Sequence, residues 1–189
     1  MKDSIVVNLF GAPGTGKSTL MAEIFAKLKW DKIDCEMVPE FAKELVWEKR
    51  LHTLTDQLYL LGKQSHRLHR VDGRVDVIVT DSPLLLNIVY NELYNTNNDD
   101  NQIRFNKALK ELVLATSEQY SNVNILLRRV KQYNPNGRNQ TEKESDELAI
   151  LIKKTLDDNN INYIELDADL HTANTIRELI SDMCFNKIK

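Results

Sequence analysis

The chain has 189 residues, enough for one domain with a substantial buried core. Its net charge is −3, from 25 Lys and Arg against 28 Asp and Glu, which argues against a protein whose main task is to coat nucleic acid. No apolar stretch approaches the length of a membrane span. The two cysteines, Cys35 and Cys184, match no metal-binding spacing. We therefore expect reduced thiols in a cytoplasmic protein, in the host cytoplasm if the source is viral.

The first predicted elements are a strand, a glycine-rich loop and a helix. Residues 5–10 are apolar and β-branched, which predicts a buried strand, and apolar residues recur at helical spacing over 18–30. Between them, residues 11–18 match the phosphate-binding pattern G-x-x-x-x-G-K-[ST]. In such a loop the backbone N–H groups point at phosphate oxygens beside the positive end of a helix. The predicted nucleotide-binding residues are Gly11, Ala12, Pro13, Gly14, Thr15, Gly16, Lys17, Ser18 and Thr19.

The rest of the chain alternates strands with helices. The further predicted strands are 34–38, 75–80, 123–127 and 163–166. The further predicted helices are 40–50, 55–71, 83–94, 102–117, 142–158 and 172–185. This alternation predicts an α/β fold of the P-loop NTPase type, with a mostly parallel five-stranded sheet and helices on both faces. We expect a single domain over 1–189, with a short lid at about 128–141.

Charged residues follow the predicted strands at Glu40, Asp81, Arg128 and Asp167. Ligands of parallel α/β sheets bind at the carboxyl ends of the strands, so we expect these residues and the glycine-rich loop to converge on one site. Asp81 ends an apolar strand, which makes Ser18 and Asp81 candidate ligands for Mg²⁺. The alternative for Asp81 is a cap for the helix that begins near Pro83.

Glu40 is the candidate for a group that orients or deprotonates a phosphoryl acceptor. Its alternative is an ordinary glutamate in the first turn of a helix, favoured there by the helix dipole. Asp81 is the second candidate for the base.

Cations are concentrated in the polar segment 128–141. Arg138 follows Gly137 there, and Arg128 and Arg129 open the segment, so we expect it to act as a lid whose arginines approach the transferring phosphate. A solvated surface loop is the alternative.

A second basic feature is a helical face formed by Lys63, His66, Arg67 and Arg70 at three- and four-residue spacing. This face is a candidate contact for an anionic substrate, and a solvated face is the alternative.

Several segments together resemble the NadR-type kinase domain, a P-loop family often described as an AAA domain. They are 11–18, 40–49, 77–81, 137–138 and 157–161. The family carries a Glu-aromatic-x-Arg-Glu pattern after the second strand, and here Lys43 replaces that arginine. The best-known members phosphorylate the 5′-hydroxyl of nicotinamide riboside, and related phage proteins are thought to act on nucleosides, nucleotides or modified DNA bases. The resemblance implies a kinase, as a stand-alone, phage-type member of the family.

The resulting hypothesis is an ATP- and Mg²⁺-dependent kinase that acts on a hydroxyl of a nucleoside- or nucleotide-like acceptor. One alternative is a polynucleotide or modified-base DNA kinase whose groove is the basic face from Lys63 to Arg70. Another is an NTPase without an acceptor. A GTPase is disfavoured because Asn106-Lys107-Ala108-Leu109 lacks the aspartate of the guanine motif, and an AAA+ motor because Ser82, not a second acid, follows Asp81. The oligomeric state is left open.

Overall fold

The computed structural model describes residues 3–97, 99–134 and 141–186. Its strands are β1 Ile5–Phe10, β2 Cys35–Val38, β3 Val77–Thr80, β4 Ser121–Arg128 and β5 Ile164–Asp167. Its helices are α1 Lys17–Trp30, α2 Ala42–Trp47, α3 Gln57–His69, α4 Leu86–Tyr94, α5 Asp100–Ser117, α6 Glu142–Asp158 and α7 Thr172–Asn186, with a 3₁₀ helix at Leu51–Thr55.

The five strands form one parallel sheet in the order β2-β3-β1-β4-β5. Every residue of the central strand β1 is buried, because its side chains alternate between two covered faces. Ile5, Val7 and Leu9 pack against α1 and α7. Val6 and Phe10 pack with apolar residues of α3, α4, α5 and α6. The predicted α/β fold, with a parallel five-stranded sheet between two helical layers, is confirmed.

Strand β4 begins two residues before the predicted 123, at Ser121, which pairs with Ile5 of β1. Asparagines interrupt the apolar pattern at this end of the strand. Asn8 in β1 satisfies them, since its Nδ2 donates to Oδ1 of Asn122 at 2.8 Å and of Asn124 at 3.0 Å. The longer strand therefore depends on a polar cross-strand network that local apolar patterning does not reveal.

Helix α4 begins at Leu86 and not near Pro83 as predicted. The N–H groups of Leu86, Asn87 and Ile88 bond to carbonyls three residues earlier, so a tighter turn precedes the regular helix. No side chain caps the start of α4.

Within the described ranges, none of the helices has the length and apolar character needed to cross a membrane.

Candidate functional site

The loop between β1 and α1 has the backbone shape of a phosphate cradle. Gly14 and Gly16 have φ of 90° and 100°, in the left-handed region where a side chain would be strained. Helix α1 begins at Lys17, and the first N–H groups of a helix have no partner within it. Thr15 Oγ1 donates to the carbonyl of Ala12 at 2.7 Å and so closes the loop on itself. The loop is therefore preshaped to receive an anion.

Lys17 is folded over this loop. Its Nζ donates to the carbonyl oxygens of Gly11 at 2.6 Å and Ala12 at 3.3 Å. These contacts hold the ammonium group over the loop, where it could neutralise the charge of a bound phosphate.

Asp81 connects the glycine-rich loop to the segment that follows strand β2. It is buried, with 3% of its surface exposed. Its Oδ2 accepts from Ser18 Oγ at 2.5 Å, and its Oδ1 accepts from the backbone N–H of Glu40 at 3.0 Å. Asp81 is therefore not a cap of α4, because both of its oxygens face other partners.

The oxygens of Ser18 and Asp81 fit a magnesium ion by their chemistry. Mg²⁺ prefers oxygen ligands and in phosphoryl-transfer sites takes only one or two from the protein, the others coming from phosphates and water. Over the described part of the chain, no group of three or more His, Cys, Asp and Glu residues is arranged to hold a metal. The pair suits an ion shared with a bound nucleotide better than a fully protein-enclosed ion.

The backbone around Glu40 is held in place by α3. Gln64, itself buried, accepts from the N–H of Phe41 at 3.1 Å and donates to the carbonyl of Pro39 at 3.4 Å. Arg67 Nη1 donates to the same carbonyl at 3.3 Å. With the Glu40 N–H bonded to Asp81, peptide groups on both sides of Glu40 are fixed.

Glu40 precedes α2 and is not part of it. Burial raises the pKa of its carboxyl group, Lys17 opposes this shift and the charge of Asp81 adds to it. A half-buried carboxylate with a raised pKa beside the phosphate loop has the properties expected of a general base.

Glu40 lines a narrow cleft between α2, α3 and α4. Phe41, Gln57, Asn87 and Tyr90 are among the residues that line it. Burial and the nearby charge of Glu40 raise the pKa of the Tyr90 phenol, so this hydroxyl stays protonated. The cleft lies on the β2 and β3 side of the glycine-rich loop.

Two of the four residues of the basic face predicted on α3 make contacts within the protein. Arg67 Nη2 lies 2.6 Å from Glu44 Oε1, and its guanidinium lies 4.9 Å from the centre of the Phe41 ring. Lys63 Nζ lies over the rings of Phe41 and Tyr59. His66 and Arg70 are exposed and lie outside the contacts around Glu40. Two of the four residues thus support the wall of the cleft instead of forming an open basic groove.

The arginines predicted for the lid lie on the other side of the loop. Arg128 is the last residue of β4, and its Nε donates to Asp167 Oδ1 at 2.9 Å. Arg129 is mostly buried and donates from Nη2 to Asp146 Oδ1 at 2.6 Å and Glu142 Oε1 at 3.3 Å. Both arginines are thus tied to β5 or α6. Gly137 and Arg138 fall outside the described residues.

The site therefore has two parts, one on each side of the glycine-rich loop. The loop, Asp81 and Glu40 are linked by direct hydrogen bonds. A second cleft of about 290 Å³ lies between the loop, the end of β4 and α6, and Arg128 and Arg129 line it. Ser145 of α6 donates to the carbonyl of Pro13 at 2.7 Å and braces the loop from this side.

Sequence reasoning did not single out Gln57, Gln64, Asn87 or Ser145. A signal was available for the glutamines, because Gln57, Leu61, Gln64 and Leu68 follow the i, i+4, i+7, i+11 spacing of one helical face. An amide within an apolar stripe indicates a buried polar contact. Asn87 and Ser145 carry no comparable local signal, since their partners depend on tertiary packing.

The sheet order, the glycine-rich loop and the Ser18–Asp81 pair define a P-loop NTPase-type nucleotide-binding domain. Residues 6–173 match a family described as "AAA domain", and the chain belongs to that family. A search of solved structures finds similarity to "Crystal structure of NadR protein in complex with NR", with a TM-score of 0.69 and 16% identity. The predicted resemblance to NadR-type AAA domains is confirmed.

The structural likeness covers 93% of this chain and 51% of the NadR chain, so this chain spans about half the length of that protein. At this identity the likeness shows the shared fold. No curated protein matches the sequence.

Proposed function

We propose that this protein is a kinase that transfers the γ-phosphoryl group of ATP to a hydroxyl of a nucleoside-like acceptor, with Mg²⁺. The observation that carries the proposal is the direct connection from Ser18 through Asp81 to Glu40. It joins the phosphate loop to the backbone of Glu40, a half-buried residue that lines a cleft of its own. A nucleotide switch needs the phosphate loop but has no use for such a cleft.

In the proposed reaction the acceptor oxygen forms a bond to the γ-phosphorus, and the bond from that phosphorus to the β–γ bridging oxygen breaks. ADP leaves with the electron pair, and the hydroxyl proton passes to the Glu40 carboxylate. Lys17 and the loop amides hold the phosphates. Bound Mg²⁺, held by Ser18 and Asp81, would neutralise charge on the β- and γ-phosphates. Asp81 remains the second candidate for the base.

A small acceptor is favoured over a polynucleotide because Lys63 and Arg67 are engaged with Phe41, Tyr59 and Glu44. A polynucleotide kinase needs an accessible basic track for the phosphate backbone. The NadR structure is described as a complex with NR, which supports a nucleoside-like acceptor here by analogy of fold. A cytoplasmic location and lid roles for Arg128, Arg129 and Arg138 remain predictions.

The test is a pair of assays on Glu40→Gln and the parent protein with γ-labelled ATP, Mg²⁺ and a panel of nucleosides, nucleotides and oligonucleotides. Glutamine fits the same space but cannot accept the proton, so labelling of the acceptor should fall roughly 100-fold or more. Slow release of phosphate to water should persist. Glu36→Gln, an exposed glutamate of β2, is the matched control and should keep both activities.

Equal loss of acceptor labelling and phosphate release would show that Glu40 supports the fold or the metal. Unchanged labelling would exclude Glu40 as the base. Labelling of oligonucleotides alone would replace the small acceptor with the polynucleotide alternative.

A further inference from the structure

We propose that two copies of this protein associate through helix α5, with the two α5 helices antiparallel across a twofold axis. The contact surface is a row of four exposed apolar residues, called the α5 seam: Phe105, Ala108, Leu112 and Ala115. The proposal concerns assembly, so it holds or fails independently of the kinase function above.

The orientation of α5 on its own domain is fixed by a small set of contacts. All 18 residues of α5 are described, and Leu109 and Val113 are the two that are buried. Both pack into the core under α4 and α6. Asn106, on the same side of the helix, accepts from Asn91 Nδ2 at 2.9 Å and donates from its own Nδ2 to the carbonyl of Asn95 at 3.2 Å. The fold therefore determines which residues of α5 face outward.

The α5 seam is a second apolar row on this helix. Its residues recur at spacings of three, four and three, so their side chains line up along one side. Phe105 is 42% exposed and Leu112 is 46% exposed, and both alanines are exposed as well. The row lies about 100° round the helix from the buried stripe. Isolated exposed apolar residues are ordinary, whereas a row with this spacing is typical of contact with another helix.

The sizes of the seam residues match a second copy of the same helix. In an antiparallel pair with the twofold axis level with Lys110, each residue lies opposite the one equally far beyond the axis. Phe105 then meets Ala115 of the partner subunit, and Leu112 meets Ala108 of the partner subunit. Each large side chain lies against a small one, so the two helices can approach closely without a gap. A parallel pair would instead place large against large and small against small.

The charges beside the seam favour the same arrangement. Arg104, Glu111 and Glu118 are exposed and spaced by seven residues, so they form one line along the outer side of the seam. In the antiparallel pair this line meets its equivalent in reverse order. Arg104 then faces Glu118 of the partner subunit, and the symmetry repeats this ion pair. Glu111 meets its own equivalent, which costs part of the gain. Two attractive contacts against one repulsive contact commit the seam to a second copy of the chain.

The first experiment measures the dimer dissociation constant by sedimentation equilibrium of the parent, Leu112→Glu and Ile103→Glu. The parent should dimerise with a Kd on the order of 10 μM, because one helix from each copy buries less than a standard interface. Leu112→Glu should raise this Kd roughly tenfold or more. Ile103→Glu is the matched control and should leave the Kd unchanged, since Ile103 is 53% exposed on the same helix, roughly 160° round from the seam. Circular dichroism checks that the variants are folded.

The second experiment tests the register and the direction of the helices. Glu118→Arg alone and Arg104→Glu alone should each raise the Kd about three- to tenfold, because each change places like charges opposite one another. The double variant should return the Kd to the parent value, since the two charges are only exchanged. Glu111→Gln should lower the Kd, because it removes the repulsion at the twofold axis.

A parent that stays monomeric well above the expected Kd would overturn the proposal. Equal weakening by Leu112→Glu and Ile103→Glu, or a dimer that neither change weakens, would also overturn it, because the contact would not depend on the seam. A double variant as weak as the single variants would overturn the antiparallel arrangement. None of these measurements uses phosphoryl transfer, so failure of the kinase function would leave them unaffected.

Discussion

The ionisation of Glu40 couples the stability of the folded domain to pH. Burial raises the pKa of its carboxyl group above the ordinary 4.5. The folded protein therefore keeps this proton to a higher pH than the unfolded chain does. The free energy of unfolding should fall as pH rises from about 4.5 through the raised pKa, by about 1.4 kcal/mol for each unit of elevation.

We predict that Glu40→Gln stabilises the protein at neutral pH. Glutamine keeps the shape of the protonated side chain and removes the cost of the buried charge. The gain in unfolding free energy over the parent should be absent below pH 4.5 and should grow until the raised pKa is passed. Urea unfolding at a series of pH values measures it, with Glu36→Gln as the exposed control. A gain that is the same at every pH would show that burial of the charge is not its cause.

Individual residues of the site also show which contacts can be predicted from the sequence. The sequence predicts Ser18 opposite Asp81 because the motif fixes the loop and a strand end fixes the aspartate, and these two side chains are hydrogen-bonded. The phosphate and metal roles of Lys17, Ser18 and Asp81 remain predictions. The lid role of Arg128 remains a prediction, and in the structure its side chain pairs with Asp167, which lies 39 residues away in sequence. The strand pairing of β4 with β5 creates that contact, and local sequence does not encode it.

At the scale of elements, α6 supports the glycine-rich loop through Ser145, whose hydroxyl bonds to the carbonyl of Pro13 and is 1% exposed. We predict that Ser145→Ala lowers the unfolding free energy by about 1 kcal/mol and raises the KM for ATP, because one buried hydrogen bond is lost from the cradle. Thr155→Val, ten residues further along the same helix, is the control and should leave the KM unchanged. Thermal unfolding and ATP titration test both variants. An unchanged KM in Ser145→Ala would show that the loop keeps its shape without α6.

The elements themselves were largely predictable, but several of their ends were not. The predicted helix 40–50 contains a regular α2 of six residues, followed by a 3₁₀ helix at Leu51–Thr55. Strand β4 extends to Ser121 because Asn8 bonds to its asparagines. The periodicity of apolar residues indicates which side chains are buried. It gives no signal where polar side chains are buried and hydrogen-bonded across the sheet.

For the molecule as a whole, the net charge of −3 and the engaged cations of α3 predict weak binding to nucleic acid. We expect a labelled single-stranded oligonucleotide to bind with a Kd weaker than about 100 μM at physiological salt, the weak limit of non-specific binding. Fluorescence anisotropy over a salt series measures it. Micromolar binding with a steep salt dependence would instead favour the polynucleotide alternative.

The sequence by itself determined the α/β class, the parallel sheet and the position of the phosphate loop, because a short motif and the alternation of apolar patterns are local properties of the chain. It also identified Glu40 and Asp81 as residues at strand ends. Only the tertiary structure decided that these two residues are hydrogen-bonded, that α3 holds the backbone around Glu40, and that Gln57 and Asn87 face the same cleft. Those relations join residues from different elements, and they arise when helices pack on the sheet to bury apolar surface.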